Sequence, residues 1–126
     1  MAEDGCIIDR EHTDIETLRQ CEEICPKSAY EKVGIKITST ALAEKLLRDK
    51  EFYTVSGGGV TFSGGEAGLQ ADFVYETAKI LRKEGISVTL DTAGLIDWKI
   101  LSHLLEEIDL ILYDIKSIDE RIHKNC

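Results

Sequence analysis

The chain has 126 residues, 43% of them hydrophobic, with 24 acidic and 15 basic side chains and a formal net charge of −9. This length supports one domain with a modest core and falls short of the roughly 200 residues that a closed β/α barrel needs. The acidic balance, with basic residues scattered rather than gathered in a stripe, argues against a nucleic-acid partner.

No apolar run is long enough to span a bilayer, and Glu3, Asp4 and Asp9 stand where a secretory signal would carry lysines and an apolar stretch. The sequence therefore predicts a cytoplasmic protein with no membrane segment. Four cysteines, Cys6, Cys21, Cys25 and Cys126, could form two disulfides by arithmetic alone. In a reducing compartment, Cys21 and Cys25 are better read as thiols or metal ligands.

Thr13 with Glu16 makes a capping-box pattern, and Leu18, Cys21, Glu22 and Cys25 follow at helical spacing, which predicts a short helix ending at Pro26. Thr38, Ser39 and Thr40 are all N-cap types, and Leu42, Ala43, Leu46 and Leu47 define an apolar stripe of a second helix running to about Lys50. Phe52 and Tyr53 lead from it into a strand, Val60-Thr61-Phe62, clamped between two groups of glycines. Glycine there lets the backbone take positive φ and approach a ligand closely, so Gly64, Gly65 and Glu66 offer bare backbone plus one carboxylate at a strand's end. That combination suits a small polar ligand with an ammonium group.

Strand and helix then alternate. Asp72 is a candidate cap for a helix carrying Val74, Ala78 and Leu81, stopped at Gly85. Ile86, Val88 and Leu90 alternate as a strand into Asp91, and Asp97 caps a helix with Leu101, Leu104, Leu105 and Ile108 on one face. Leu110 to Ile115 is a nearly continuous apolar run, expected of a strand covered on both faces. Asp119 is placed to start a last helix. Trp98 falls on a helix and reads as packing, and His103 as a surface residue.

One helix and one strand separate Ser63 from Asp91, and again Asp91 from Asp114. Parallel strands joined by right-handed crossovers put all their C-terminal ends on one side. Gly64, Gly65, Glu66, Asp91, Thr92, Asp114 and Lys116 are therefore expected to converge on one rim, where such sheets bind ligands. Each has a plainer reading as a strand-end residue satisfied by neighbouring amides or by solvent.

The string from Gly57 to Glu66, followed by Leu69-Gln70, resembles the segment GGGVTFSGGEPLLQ of the glycyl-radical-enzyme activating enzymes, members of the radical S-adenosylmethionine (SAM) superfamily. Leu90-Asp91-Thr92-Ala93-Gly94 is similar to the D-T-S-G or D-T-N-G of that family, and Leu112-Tyr113-Asp114-Ile115-Lys116 to its D-[IL]-K string. The resemblance covers roughly residues 21 to 124. It implies an α/β fold, a partial radical-SAM-type barrel over residues 37–126 with about three parallel βα units, preceded over residues 1–36 by the remnant of a ferredoxin-like insert. It further implies SAM and a [4Fe-4S] cluster as cofactors, a glycyl radical enzyme as partner, and a flavodoxin or ferredoxin as electron donor. Gly64, Gly65 and Glu66 would receive the methionyl ammonium group of SAM and Asp114 would add an acidic contact. Lys116 would pair with the methionyl carboxylate, and Asp91, Thr92 and Asp114 would resemble a monovalent-cation site.

Several departures accompany the resemblance. The C-x3-C-x2-C loop that holds the family's cluster occurs nowhere in the sequence. Cys21 and Cys25, spaced C-x3-C-P, match the close of the ferredoxin-like insert instead, whose other two cysteine positions hold Ile15 and Leu18. They are candidates for a degenerate auxiliary cluster, the alternative being a helix that packs them as small apolar residues. Ala67-Gly68 stands where the family usually has Pro-Leu, and Ala93 replaces a Ser or Asn. Two functions follow: the central piece of an activating enzyme, inactive alone, or a non-catalytic module that binds a SAM-like ligand or associates through open sheet edges. A phosphate-binding half-barrel, with Gly57 to Gly59 as the cradle, is disfavoured by the acidic rim.

Overall fold

The computed structural model describes residues 14–24 and 34–119. Its backbone contacts divide the chain into two units, Met1–Lys36 and Ile37–Cys126.

In the first unit, helix α1 spans Ile15–Ile24. Its cap is Asp14, whose Oδ1 accepts from the Thr17 amide at 2.7 Å; Thr13, the expected cap, lies outside the described residues. That amide holds the Asp14 carboxyl below its ordinary value, since an accepted hydrogen bond favours the charged form. Ile15 and Ile24 are exposed and Cys21 is a half-buried free thiol. Cys25 and Pro26 lie outside the described residues.

The second unit opens with α2 (Ser39–Leu47), where Thr38 Oγ1 accepts from the Ala41 amide at 3.2 Å. The stripe predicted to run to Lys50 stops at Leu47, and a separate helix, α3 (Lys50–Ser56), occupies the stretch expected to lead into the strand. The Asp49 carbonyl nucleates α3 by accepting from Phe52 and Tyr53. Tyr53 packs against the core while Phe52 stays exposed, so the helix turns one of two adjacent aromatics inward.

Strand β1 (Gly59–Phe62) is followed by a 3₁₀ turn, Ala67–Gln70, and by α4 (Ala71–Lys83). Asp72 sits in the first turn of α4, where a carboxylate favours the helix dipole, rather than capping it. Strand β2 (Ser87–Thr92) leads to α5 (Trp98–Leu104), and a 3₁₀ turn, Leu105–Glu107, connects α5 to β3 (Leu110–Tyr113). Asp97 caps α5 as expected, its Oδ1 accepting from Lys99 N at 2.8 Å. The three strands form one open parallel sheet in the order β1-β2-β3, with Phe62 beside Leu90 and Leu90 beside Ile111. This is an open α/β arrangement of three parallel strands, as expected.

The core lies between the sheet and helices α2, α4 and α5. Ala43, Val60, Ala78, Leu81, Ile86 and Val88 form one cluster; Ala67, Val74, Leu90, Leu101 and Leu104 form another nearer the C-terminal strand ends. Phe62 and Ile108 pack against both. Leu81, Leu90 and Leu104 are fully buried, each contributing roughly 1.5–3 kcal/mol of transfer free energy. At the opposite strand ends, Arg82 donates to the Glu106 carbonyl at 2.7 Å and pairs with Asp109, whose other carboxylate oxygen accepts from Val88 N at 2.8 Å. Helix α4 is thereby tied to the start of β3.

β3 departs from expectation. All four of its residues are exposed, Leu110 and Tyr113 by about half. It pairs with β2 along one edge, and its apolar side chains remain 41–54% exposed where burial on both faces was expected. Among those residues, too, no helix is long and apolar enough to cross a membrane.

Candidate functional site

The parallel register brings three chain segments to one rim: Ser63–Glu66 after β1, Ala93–Gly94 after β2, and Asp114–Lys116 after β3. Side chains alternate between the two faces of a strand. Val88, Leu90 and Thr92 are buried on the helix-facing side of β2, which leaves Thr89 and Asp91 on the other. Asp91 and Thr92 are therefore adjacent in sequence and opposite in space.

On the open face the Ser63 hydroxyl donates to Asp91 Oδ2 at 2.8 Å, across 28 residues of chain. Ser63 was not a predicted site residue. Its signal was available in the strand period, since it stands two positions after Thr61, with only Phe62 between them, and so on the same face. Next to it, Gly64 and Gly65 take φ of +91° and +57°, a region costing a residue with a Cβ roughly 1–2 kcal/mol. Nothing stands within 4 Å of where a Cβ would project at either position, so the backbone angle, not space, calls for glycine. Both are exposed, leaving their main chain accessible.

Glu66 turns the other way. Its Oε1 accepts from Thr92 Oγ1 at 2.7 Å and from Gly68 N at 3.1 Å, and its Oε2 accepts from Ala93 N at 3.1 Å. Thr92, only 3% exposed, also accepts from Gly94 N at 2.9 Å through the same hydroxyl. The Thr92 carbonyl accepts from Asp114 N at 2.9 Å, so Thr92 joins all three strand ends. Asp114 is ion-paired with Lys116. The rim thus gathers Gly64, Gly65, Asp91, Asp114 and Lys116 as surface groups, with Glu66 and Thr92 bonded beneath them. Ala93 and Gly68 enter through backbone amides, which carry no residue-type signal in a sequence.

An acidic and carbonyl-rich rim with one lysine can accept from a cationic amine and pair with a carboxylate. Among the described residues no group of three or more His, Cys, Asp or Glu side chains could hold a metal ion; Cys6, Cys25 and Cys126 lie outside those residues. His103 is a surface residue, stacked on Tyr75 with centroids 4.2 Å apart. Trp98, read as packing, is instead 70% exposed at the first position of α5.

Comparison with known proteins gives a consistent picture. The sequence profile of the Radical SAM superfamily matches residues 15–126. The chain is 39% identical over 99 residues to the (2S)-3-sulfopropanediol dehydratase activating enzyme of Klebsiella oxytoca, covering 79% of this chain and 31% of that protein. It is 42% identical over 91 residues to the pyruvate formate-lyase-activating enzyme of Clostridium pasteurianum, covering 72% and 38% respectively. With the pyruvate formate-lyase 1-activating enzyme of Escherichia coli it shares 40% identity over 94 residues, 73% of this chain and 38% of that one. The chain spans about a third of the length of these curated relatives.

Proposed function

The chain belongs to the radical SAM superfamily, and from that premise we propose that it forms the SAM-binding part of an activating enzyme for a glycyl radical enzyme. The observation that carries this reading is the meeting of the Gly64-Gly65 turn, Asp91, Asp114 and Lys116 at one rim, in the order in which the resemblance implies their roles. Its relatives' names support it, since they are activating enzymes for a dehydratase and for pyruvate formate-lyase.

In this reading the Gly64–Glu66 turn receives the methionyl ammonium group, with exposed carbonyls as acceptors. Asp91 and Asp114 add negative charge, which holds a cationic amine and suits a monovalent cation alongside. Thr92 serves that cation site by fixing the strand end behind Asp91. Lys116 exchanges its pairing with Asp114 for the methionyl carboxylate. When bound, SAM would supply, on one-electron reduction that cleaves its C5′–S bond and releases methionine, a 5′-deoxyadenosyl radical able to take hydrogen from a glycine of the partner. The cysteines present do not match the C-x3-C-x2-C donor set of the family's [4Fe-4S] cluster, so no step of electron delivery is assigned to this chain's residues. A flavodoxin or ferredoxin donor and a cytoplasmic setting complete the proposal.

Isothermal titration of the 126-residue chain with SAM tests it. Saturable binding that Asp91→Asn weakens by about tenfold or more supports the reading, that being the loss of one charge-assisted contact. No binding, or binding indifferent to Asp91, rejects it.

The half-exposed apolar β3 favours a second reading, a module that self-associates through its open sheet edge. Sedimentation equilibrium separates the two, because only the second requires a dimer that Leu112→Lys dissociates.

A further inference from the structure

We propose that Glu66 is a positioning residue, whose carboxylate holds the Gly64-Gly65 turn in place from beneath and does not itself contact a ligand. The role of that turn in binding rests on the function proposed above; the geometry of the strut does not.

An ionised carboxylate has about four acceptor sites. Three of those on Glu66 are taken, two on Oε1 and one on Oε2, by donors at 2.7 to 3.1 Å. All three donors come from the protein, and one, the hydroxyl of Thr92, is almost fully buried. Charge-assisted bonds of this kind are roughly twice as strong as neutral ones, and breaking them would strand buried donors. Asp91 differs: among the described residues its carboxylate accepts one hydrogen bond, from Ser63. A ligand ammonium group arriving at the rim meets Asp91 and the glycine carbonyls at little cost, whereas recruiting Glu66 would dismantle its network.

That network spans 26 residues of chain, joining the turn after β1 to the end of β2. Gly68 N fixes the carboxylate to its own turn, while Ala93 N and Thr92 Oγ1 fix it to the neighbouring strand. Nothing stands within 4 Å of where a Cβ on Gly64 or Gly65 would project, so side-chain packing at these two positions does not hold their positive-φ conformation. Ser63 is held by Asp91 on one side, and Glu66 by the strut on the other. The direction in which the two carbonyls point therefore depends on Glu66.

The test uses the 126-residue chain, Glu66→Gln and Thr92→Val, alone and together, and Thr92→Ser. Amide hydrogen exchange without ligand should show Gly68 and Ala93, whose amides donate to Glu66, losing protection in Glu66→Gln and in Thr92→Val. The double variant should be no worse than either single one, and Thr92→Ser should recover most of the protection lost in Thr92→Val. Additive losses, or protection unchanged in Glu66→Gln, would overturn the strut. Titration with SAM then separates positioning from contact, because Thr92→Val keeps the Glu66 carboxylate but removes a bond that holds it. Thr92→Val and Glu66→Gln should each weaken SAM by a similar factor, about tenfold, with Thr92→Ser recovering most of the loss; full affinity in Thr92→Val beside a loss in Glu66→Gln would mean that Glu66 binds the ammonium group directly and would overturn the proposal. If the unaltered chain does not bind SAM, the proposed function fails, and the exchange pattern still decides the strut.

Discussion

Gly68 and Ile96 occupy one space. A Cβ built on Gly68 would lie 1.9 Å from Ile96 Cδ1 and 2.9 Å from its Cγ1, so the Ile96 side chain fills the volume that a larger residue at position 68 would need. The departure from Pro-Leu at Ala67-Gly68 thus has a counterpart on the loop before α5. The obstruction is a side-chain end, which can turn aside. Gly68→Ala is expected to cost about 1–2 kcal/mol by overpacking, and Ile96→Val in the same chain to restore most of it. Urea unfolding of the two single variants and the double variant measures the coupling.

Gly59 poses the opposite case. Its Cβ would fall 2.1 Å from the Ser87 carbonyl oxygen, a backbone atom of the paired strand that cannot move without breaking the β1–β2 ladder. Gly59→Ala should destabilise by about 3 kcal/mol or more, at the upper end of overpacking costs, with no rescue from Ser87→Gly. Recovery on Ser87→Gly would mean that the side chain, not the carbonyl, is the obstacle.

The Ser63–Asp91 bond joins two partly exposed groups at the ends of adjacent strands. Ser63→Ala is expected to lower stability by only about 0.5–1 kcal/mol while loosening Asp91, so SAM affinity should fall further than stability. Chemical denaturation and calorimetric titration of the same preparation give the two quantities. Equal losses would show that Ser63 matters to the fold alone.

A pH dependence follows from Glu84, whose carboxyl is lowered from its ordinary value of 4.5 by its hydrogen bond with Lys50, at 2.8 Å, and by the lysine's charge. A carboxyl with a depressed folded value contributes stability that is present above 4.5 and lost as the pH falls through the folded value. Both side chains are near half-exposed, so salt should shrink the effect. Thermal melts from pH 6 down to about pH 3 should fall less steeply in Lys50→Gln than in the unaltered chain. Identical slopes would remove the pair from the acid response.

Cys21 and Cys25 make the last prediction. Two thiols of a C-x3-C-P segment, without the other two positions of the ferredoxin run, should not retain a cubane cluster. Anaerobic reconstitution followed by desalting is expected to leave no iron or labile sulfide and, with a strong reductant and SAM, no 5′-deoxyadenosine. About four irons per chain would instead mean that Cys6, Cys21, Cys25 and Cys126 form a site together.

The sequence by itself determined the alternation of strands and helices after residue 57, the parallel sense of the sheet and the rim on which Gly64, Asp91 and Asp114 meet. Each rests on a local signal: period-two runs, N-cap residues such as Asp97, and a connection length of one helix plus one strand. It also carried enough identity to place the chain beside the activating enzymes. Tertiary structure alone decided the rest. Whether Tyr53 belongs to a helix or an extended lead-in turned on a core that had to accept it, and the exposure of β3 on having β2 as its one described neighbour. Glu66 and Thr92 look like two independent polar residues in the sequence. Their joint role depends on a hydrogen bond between positions far apart in the chain, and such a bond exists only once the strands lie in register.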